Sequence, residues 1–327
     1  MASAAGHNGE PQRKLVHFYR ERVTGQWSAC AVVSSNPKSG GSMIQSISKH
    51  SLGQVHGDFE VVVLEDGGML KHYTRDNTIP VDNGCVCLEI VGNAIDAAPL
   101  IQTQISEGTD SDGTTLETAV LDNNGCILHY RCPQYEPRDD SAEVKHQWSQ
   151  RAIITCSATG PACLYQTSPN MLMALIPTVS GVAEYRFDPG MEWTEVGMVT
   201  TKSGPSCVYS EMPGISAAFY ALVRSGFEIR EFMREGTWQV DETTLPFSLC
   251  EIRHTPSHRV LATNPISISS PATNALGHSQ SVEAIAFHAA GAGWQNTWMI
   301  LHWSCVTGTG QWIISDVVLP HVTGMPL

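Results

Sequence analysis

Residues Gly160–Trp193 read GPACLYQTSPNMLMALIPTVSGVAEYRFDPGMEW, and residues Gly204–Trp238 read GPSCVYSEMPGISAAFYALVRSGFEIREFMREGTW. Laid over one another, the two stretches match in order. Each opens on Gly-Pro and runs through an apolar strand and a second strand ending in Ser-Gly. Each then continues into a third strand with an aromatic and a charge, and closes on Trp. Trp148, Trp193 and Trp238 recur at intervals of about 45 residues, the period of a four-stranded propeller blade. A unit of this size cannot bury its own faces, so its copies must stack on one another.

The third strand of each unit is the easiest to follow outward. It reads LVHFYRE (Leu15–Glu21), MLKHYTRD (Met69–Asp76), CILHYRC (Cys126–Cys132), VAEYRFD (Val182–Asp188), FEIREFM (Phe227–Met233) and WMILHWS (Trp298–Ser304). Period-two alternation with β-branched and aromatic residues predicts strands throughout. Turn signals separate them at Asp66-Gly67-Gly68, Asn123-Asn124-Gly125, Ser180-Gly181 and Ser225-Gly226. The expected fold is all-β, a single propeller of six four-stranded blades over residues 1–327. The tail QWIISDVV (Gln311–Val318) reads as an outer strand and HVTGMPL (His321–Leu327) as the start of an inner one. The closing blade is therefore expected to be shared by the N- and C-termini, which pairs edges otherwise left open. Five blades is the alternative count, because the shared blade lacks an obvious second strand. Residues 1–13 read as a flexible N-terminal arm. The polar stretch Ser106–Thr115 reads as a solvated loop, and the longer insertion 255–280 reads as a lid over one face.

Composition narrows the function classes. The chain has 42% hydrophobic and only 16% charged residues, with a formal net charge of −13 and no Lys/Arg run. Nucleic-acid binding needs a basic stripe to displace counterions, so that partner is excluded. The opening MASAAGHNGEPQRK has no apolar h-region, and no stretch approaches 18 apolar residues. No secretory signal and no membrane span are expected, and the location read from these features is cytoplasmic. The ten cysteines are scattered without a CxxC pair, and read as buried free thiols of a reducing compartment, not metal ligands.

At HGDFEVVVLEDGGMLKHYTRDN and ATGPACLYQTS the sequence resembles a propeller superfamily that includes the fucose-binding lectins of bacteria and fungi. The resemblance covers nearly the whole chain, but its motifs specify the blade more than the ligand. The same blade phrase also resembles fungal propeller hetero-Diels–Alderases of tropolone–sesquiterpenoid biosynthesis, pericyclases of secondary metabolism. Those join an ortho-quinone methide, formed by loss of water from a hydroxymethyl tropolone or phenol, to a humulene-type alkene.

Inner strands aligned on their small-residue openings give a column of Gln45, Gln102, Gln166, Ser210 and Glu251. It is flanked by Ile44, Ile101, Tyr165, Tyr209 and Cys250 on one side and by Ser46, Thr103, Thr167, Glu211 and Ile252 on the other. Strand residues alternate faces, so either the Gln column or its flanks would line the central channel. In the structural reading these polar residues bond to neighbouring strands or hold water. In the functional reading Gln45, Gln102, Gln166, Thr103 and Thr167 form a polar collar around one ligand. The column loses symmetry at Glu251, with Arg253 and His254 just beyond. That cluster, with Tyr165 and Tyr209, would expel water from a quinone-methide precursor and hold its oxyanion. Trp294 and Trp298 break the repeat and are further candidate ligand contacts, whereas Trp148, Trp193, Trp238 and Trp312 recur as blade-packing residues. The third-strand histidines His17, His72, His129 and His302 read as a repeated packing and hydrogen-bond element; blade symmetry keeps them from sharing a metal. No GxSxG, HExxH, P-loop or dinucleotide fingerprint is present.

A lectin gains avidity from several similar sites, so its blades should stay alike; here they have drifted, and no repeated Arg/Glu/Trp constellation is visible. The reading favoured at this level is therefore one small-molecule site acting as a cofactor-free hetero-Diels–Alder cyclase, with a polar aromatic and an apolar terpene as substrates. The first alternative is a fucose- or glycan-binding lectin, the second a protein-interaction scaffold.

Overall fold

The computed structural model describes residues 2–5, 11–20, 24, 27–46, 57–75, 86–96, 99–103, 114–134, 147–204, 206–210, 219–225, 228–235, 237–240, 247–248, 261–262, 267–269, 281–289, 297–306 and 312–323. They form six antiparallel sheets in chain order, and no helix. Sheet one holds β1 (Ala2–Ala5), β2 (Pro11–Arg20) and β3 (Trp27–Ser34). Sheet two holds β4 (Pro37–Gln45), β5 (Phe59–Glu65), β6 (Met69–Arg75) and β7 (Val86–Val91). Sheet three holds β8 (Leu100–Thr103), β9 (Thr114–Leu121), β10 (Ile127–Gln134) and β11 (Ser149–Thr155). Sheet four holds β12 (Cys163–Ser168), β13 (Met171–Thr178), β14 (Gly181–Phe187) and β15 (Thr194–Thr200). Sheet five holds β16 (Ser206–Ser210), β17 (Phe219–Ser225), β18 (Glu228–Glu235) and β19 (Thr237–Val240), with β20 (Phe247–Ser248) also paired to β18. Sheet six holds β21 (Leu261–Ala262), β22 (Ser267–Ser269), β23 (Ser281–Ala289), β24 (Thr297–Val306) and β25 (Trp312–Thr323).

The six-sheet count agrees with the repeat. The expected sharing of the last sheet between the termini is not seen among the described residues. Sheet one takes its edge from its own end of the chain, with Ala2 opposite Lys14 and Ala5 opposite Pro11. His321–Thr323, read as the start of a new inner strand, instead belongs to β25, which stays on β24 as far as Thr323 opposite Thr297. Two described pieces of the 255–280 insertion, β21 and β22, are strands paired to β23.

Contacts divide the chain into two units, Met1–Val179 with Glu184–Val196 and Ser180–Ala183 with Gly197–Leu327. In the first unit the core lies between sheets. One face of sheet two supplies Val62, Leu64 and Leu70, which pack on Leu100, Leu116, Val120, Tyr130 and Cys132 of sheet three. Its other face supplies Val61, Val63 and Tyr73, which pack on Leu15 and Val33 of sheet one. β5 is thus covered on both sides, which is why it reads as a near-continuous apolar run, and β9 and β13 are buried almost throughout as it is. The fourth strands are half exposed: β11 and β15 share one alternating pattern of exposure. In the second unit Ala221, Val223 and Phe232 are buried on β17 and β18, and Glu231 stands opposite Leu222.

Turn chemistry sets the hairpin register. Gly68 has φ +79°, and a Cβ there would lie 2.9 Å from the Ala94 carbonyl oxygen, the residue whose N–H donates to the Gly68 carbonyl at 2.8 Å. Asp122 anchors the matching turn of sheet three by accepting the N–H groups of Asn124 and Cys126 at 2.8 and 2.9 Å. One expectation about the cysteines is corrected. Cys126 and Cys156 form a disulfide, because the last turn before β10 and the residue after β11 are brought side by side.

Candidate functional site

Alternation along the strands sends side chains into the crevices on either side of each sheet, and two crevices carry the same unit. Between sheets two and three, His72 (β6) is fully buried and its Nε2 donates to Glu60 Oε2 on β5 at 2.8 Å. Trp148, just before β11, crosses from sheet three and donates its indole N–H to His72 Nδ1 at 3.3 Å, with the two rings edge to face. Between sheets three and four the unit repeats. His129 (β10) meets Glu117 (β9) at 2.8 Å and receives the indole N–H of Trp193 at 3.3 Å. Phe187 and Trp193 flank the His129 ring at centroid distances of 5.6 and 5.4 Å. An indole can only donate, so Nδ1 of each imidazole is the acceptor and its proton sits on Nε2, aimed at the carboxylate.

The rest of each carboxylate shell differs. Glu60 also accepts from Thr74 Oγ1 at 2.8 Å and from the Gln134 amide of sheet three at 3.3 Å. Gln134 in turn accepts from Gln102, which also donates to Thr114 at 2.9 Å. Glu117 instead has Arg131 Nε at 3.3 Å and Thr103 Oγ1 at 3.2 Å. Arg131 also donates to Thr115 at 3.0 Å and is 12% exposed, so this crevice holds a guanidinium where its neighbour holds Thr74. Cys132 lies beneath. Burial, then the charge of Glu60, push its thiol up to about 12, which keeps it protonated and inert.

Sheet four rearranges the unit. Ile44 faces Glu60 and Ile101 faces Glu117, but at the corresponding place Tyr165 faces Met173. Glu184 occupies the third-strand position of His72 and His129, and accepts the Tyr165 hydroxyl. The carboxylate has moved from the second strand to the third, and the first strand supplies its donor. Tyr209 and Glu231 hold the same register positions in sheet five.

Between sheets one and two, Glu65 gathers the Ser34 hydroxyl at 2.6 Å, the Tyr73 hydroxyl and Lys71 at 2.9 Å. Burial alone would raise the Glu65 carboxyl; the three donors outweigh it and hold the carboxyl below its ordinary range. His17 lies against Phe59 at 5.4 Å, and burial followed by the Arg75 charge lowers its pKa.

These positions redistribute the residues expected from sequence. Gln45 donates to the Gly57 carbonyl at 3.3 Å, Gln102 belongs to the Gln134 network, and Thr103 is spent on Glu117. Gln166 is half-buried, and Thr167 has a buried hydroxyl with no partner, at the bulge between Gln166 and Ser168. Gln45, Gln102 and Thr103, described members of the two columns, bond within their own sheets or to a neighbouring one, and Glu251 of the Gln column lies outside the described residues. Tyr165 is buried in its bond to Glu184. Tyr209 and Trp298 are placed by backbone only, in β16 and β24. Glu251, Arg253, His254 and Trp294 lie outside the described residues. Glu60, Glu117 and Arg131 were not among the expected site residues. The signal for the first two was a Glu twelve positions before a His in two successive repeats.

No family profile matches the chain, and no curated protein matches it. Among solved structures, the six sheets define the class: a six-bladed β-propeller. The fungal lectin of Aleuria aurantia, described as having a six-bladed propeller fold and a novel fucose recognition mode, is 15% identical. It matches 99% of this chain and 91% of its own at a TM-score of 0.60. A mutant of the same lectin in complex with α-methyl-L-fucoside is 14% identical over the same shares, with a TM-score of 0.59. The SapL1 lectin in complex with α-methyl fucoside is 13% identical over 97% of this chain and 92% of its own, at 0.54. Among the described residues no helix is long and apolar enough to cross a membrane.

Proposed function

We propose that this propeller binds a saccharide, with fucosylated glycans as the ligand class, in the crevices between neighbouring sheets. The carrying observation is the recurrence at two crevices of a carboxylate, an imidazole and an indole, joined between sheets three and four by the Arg131 guanidinium. A charged, fixed donor suits sugar hydroxyls, and Arg131 is the most exposed member of the set between sheets three and four. The fucose-binding lectins that share the fold support the sugar reading. Drift between repeats sets the number of sites: the guanidinium accompanies one of the two units, so one site dominates.

The cyclase reading, joining an ortho-quinone methide to a humulene-type alkene, would draw on Tyr165, whose hydroxyl is committed to Glu184; that commitment favours the sugar. Calorimetry with α-methyl fucoside and fucosylated oligosaccharides tests the proposal. Saturable heat with about one site per chain is expected, weakened about tenfold or more in Arg131→Lys, because an ammonium cannot reproduce the guanidinium fork. No heat at millimolar sugar, together with enantioselective cycloadduct formation from a tropolone precursor and humulene, would transfer the assignment to the cyclase.

A further inference from the structure

Cys126 and Cys156 form the disulfide among the described cysteines, while Cys87, Cys132 and Cys163 carry thiols outside it. We propose that the Cys126–Cys156 bond is a thiol-responsive latch on β11, opened by two-electron reduction and closed by oxidation. Its position carries the idea. Cys126 directly precedes β10 and Cys156 directly follows β11, so the bond ties the outer strand of sheet three to its neighbour at one end.

That strand is otherwise weakly held. Among the described residues its backbone pairs along one side only, through a ladder broken by register shifts at Ile127/Leu128 and at His129/Tyr130, and most of its residues are exposed or half-exposed. At its far end it is anchored by Trp148, whose indole is held by His72 of sheet two. At its near end the latch adjoins the chain crossing to sheet four. There the Ala158 N–H donates to the Gly125 carbonyl at 3.2 Å, the Thr159 N–H donates to the Pro177 carbonyl at 2.8 Å, and Ala158 bridges Thr178. Opening the bond leaves β11 with a broken ladder, Trp148 at its far end and side-chain bonds between Gln150 and Tyr130 and between Thr155 and Tyr185, so the strand and the crossing chain loosen together.

The bond is also reachable. Cys156 is exposed and Cys126 half-buried, so a thiolate can approach the Cys156 sulfur. Attack there forms a mixed disulfide and expels the electron pair onto Cys126, which leaves as thiolate and takes a proton. The second thiol of a dithiol reductant then attacks the mixed disulfide. The net change is one protein disulfide and one dithiol to two protein thiols and one small disulfide. A disulfide-oxidised thiol such as oxidised glutathione runs it in reverse. Cys132, buried and held protonated, does not compete.

The test is hydrogen exchange on the full chain, with the redox state of each cysteine checked by peptide mass. Reduction with dithiothreitol is expected to speed exchange across 149–159 by about tenfold or more, leave Met171–Thr178 unchanged, and reverse on treatment with oxidised glutathione. Cys87→Ser should respond as the wild type does, and Cys156→Ser should show the fast rates without reductant. Equal exchange in the bonded and reduced states overturns the proposal. So does recovery of Cys126 and Cys156 as free thiols after oxidised glutathione.

Discussion

Trp193 has two tasks at one atom pair: its ring fills the crevice against Phe187 and His129, and its N–H fixes which nitrogen of His129 accepts. Trp193→Phe keeps most of the ring and removes the donor, leaving a buried imidazole nitrogen unsatisfied. A loss of about 1–3 kcal/mol is expected from urea unfolding. Trp193→Ala also opens a cavity and should cost about 3–5 kcal/mol. A Phe variant as stable as wild type would show that the N–H is incidental. His17 makes a prediction in pH. Its pKa is lowered in the folded chain, first by burial and then by Arg75, while the unfolded chain takes up its proton near the ordinary value of 6.5. The unfolded state therefore binds more protons below that pH, so the His17 contribution is present in full above about 6.5 and is lost as pH falls through the folded value. Denaturant midpoints at pH 7.5 and 5.5 should converge in His17→Gln relative to wild type; identical pH slopes would remove His17 as the cause. Glu65, also lowered, acts at more acid pH: its contribution is present above the ordinary carboxylate value and fades as pH falls through its depressed one.

At the level of strands and turns, the Glu–His–Trp unit joins three strands of two sheets, so its members lie far apart in the chain. The His–aromatic phrases were legible because they recur inside one strand. Glu60 and Glu117 were not, since a single carboxylate amid an apolar run reads as a solvated residue until its strand is found covered on both faces. The disulfide escaped for a related reason: Cys126 and Cys156 are 30 residues apart and meet only through the hairpin register. Alternation in a sheet packed on both sides sends Gln102 to the Gln134 network and Thr103 to Glu117, partners that no column in the sequence displays. Turns carry their own constraint. Gly181 has φ +138°, and a Cβ there would fall 2.0 Å from the Thr200 carbonyl oxygen. Gly181→Ala should cost about 2–4 kcal/mol, since backbone must move as well as strain. Thermal unfolding checks it, and an unchanged midpoint would mean the β13–β14 turn can relax freely.

Across the molecule, the repeat at Gly160–Trp193 and Gly204–Trp238 carried the fold as far as six sheets, because a unit of that length must bury both faces against its like. What it could not carry was ligand chemistry. The positions that stack one sheet on the next are also those where polar groups diverge: Thr74 against Arg131, and Glu60 and Glu117 against Met173. Drift in the repeat pointed toward a single unsymmetrical site. Among the described residues the repeats differ in the shells of two carboxylates, Thr74 on Glu60 and Arg131 beside Glu117. A crystal of the chain soaked in α-methyl fucoside tests the central claim most directly. Sugar density between sheets three and four, with hydroxyls on Arg131, is the predicted result. Density elsewhere, or none at a saturating concentration, would contradict it.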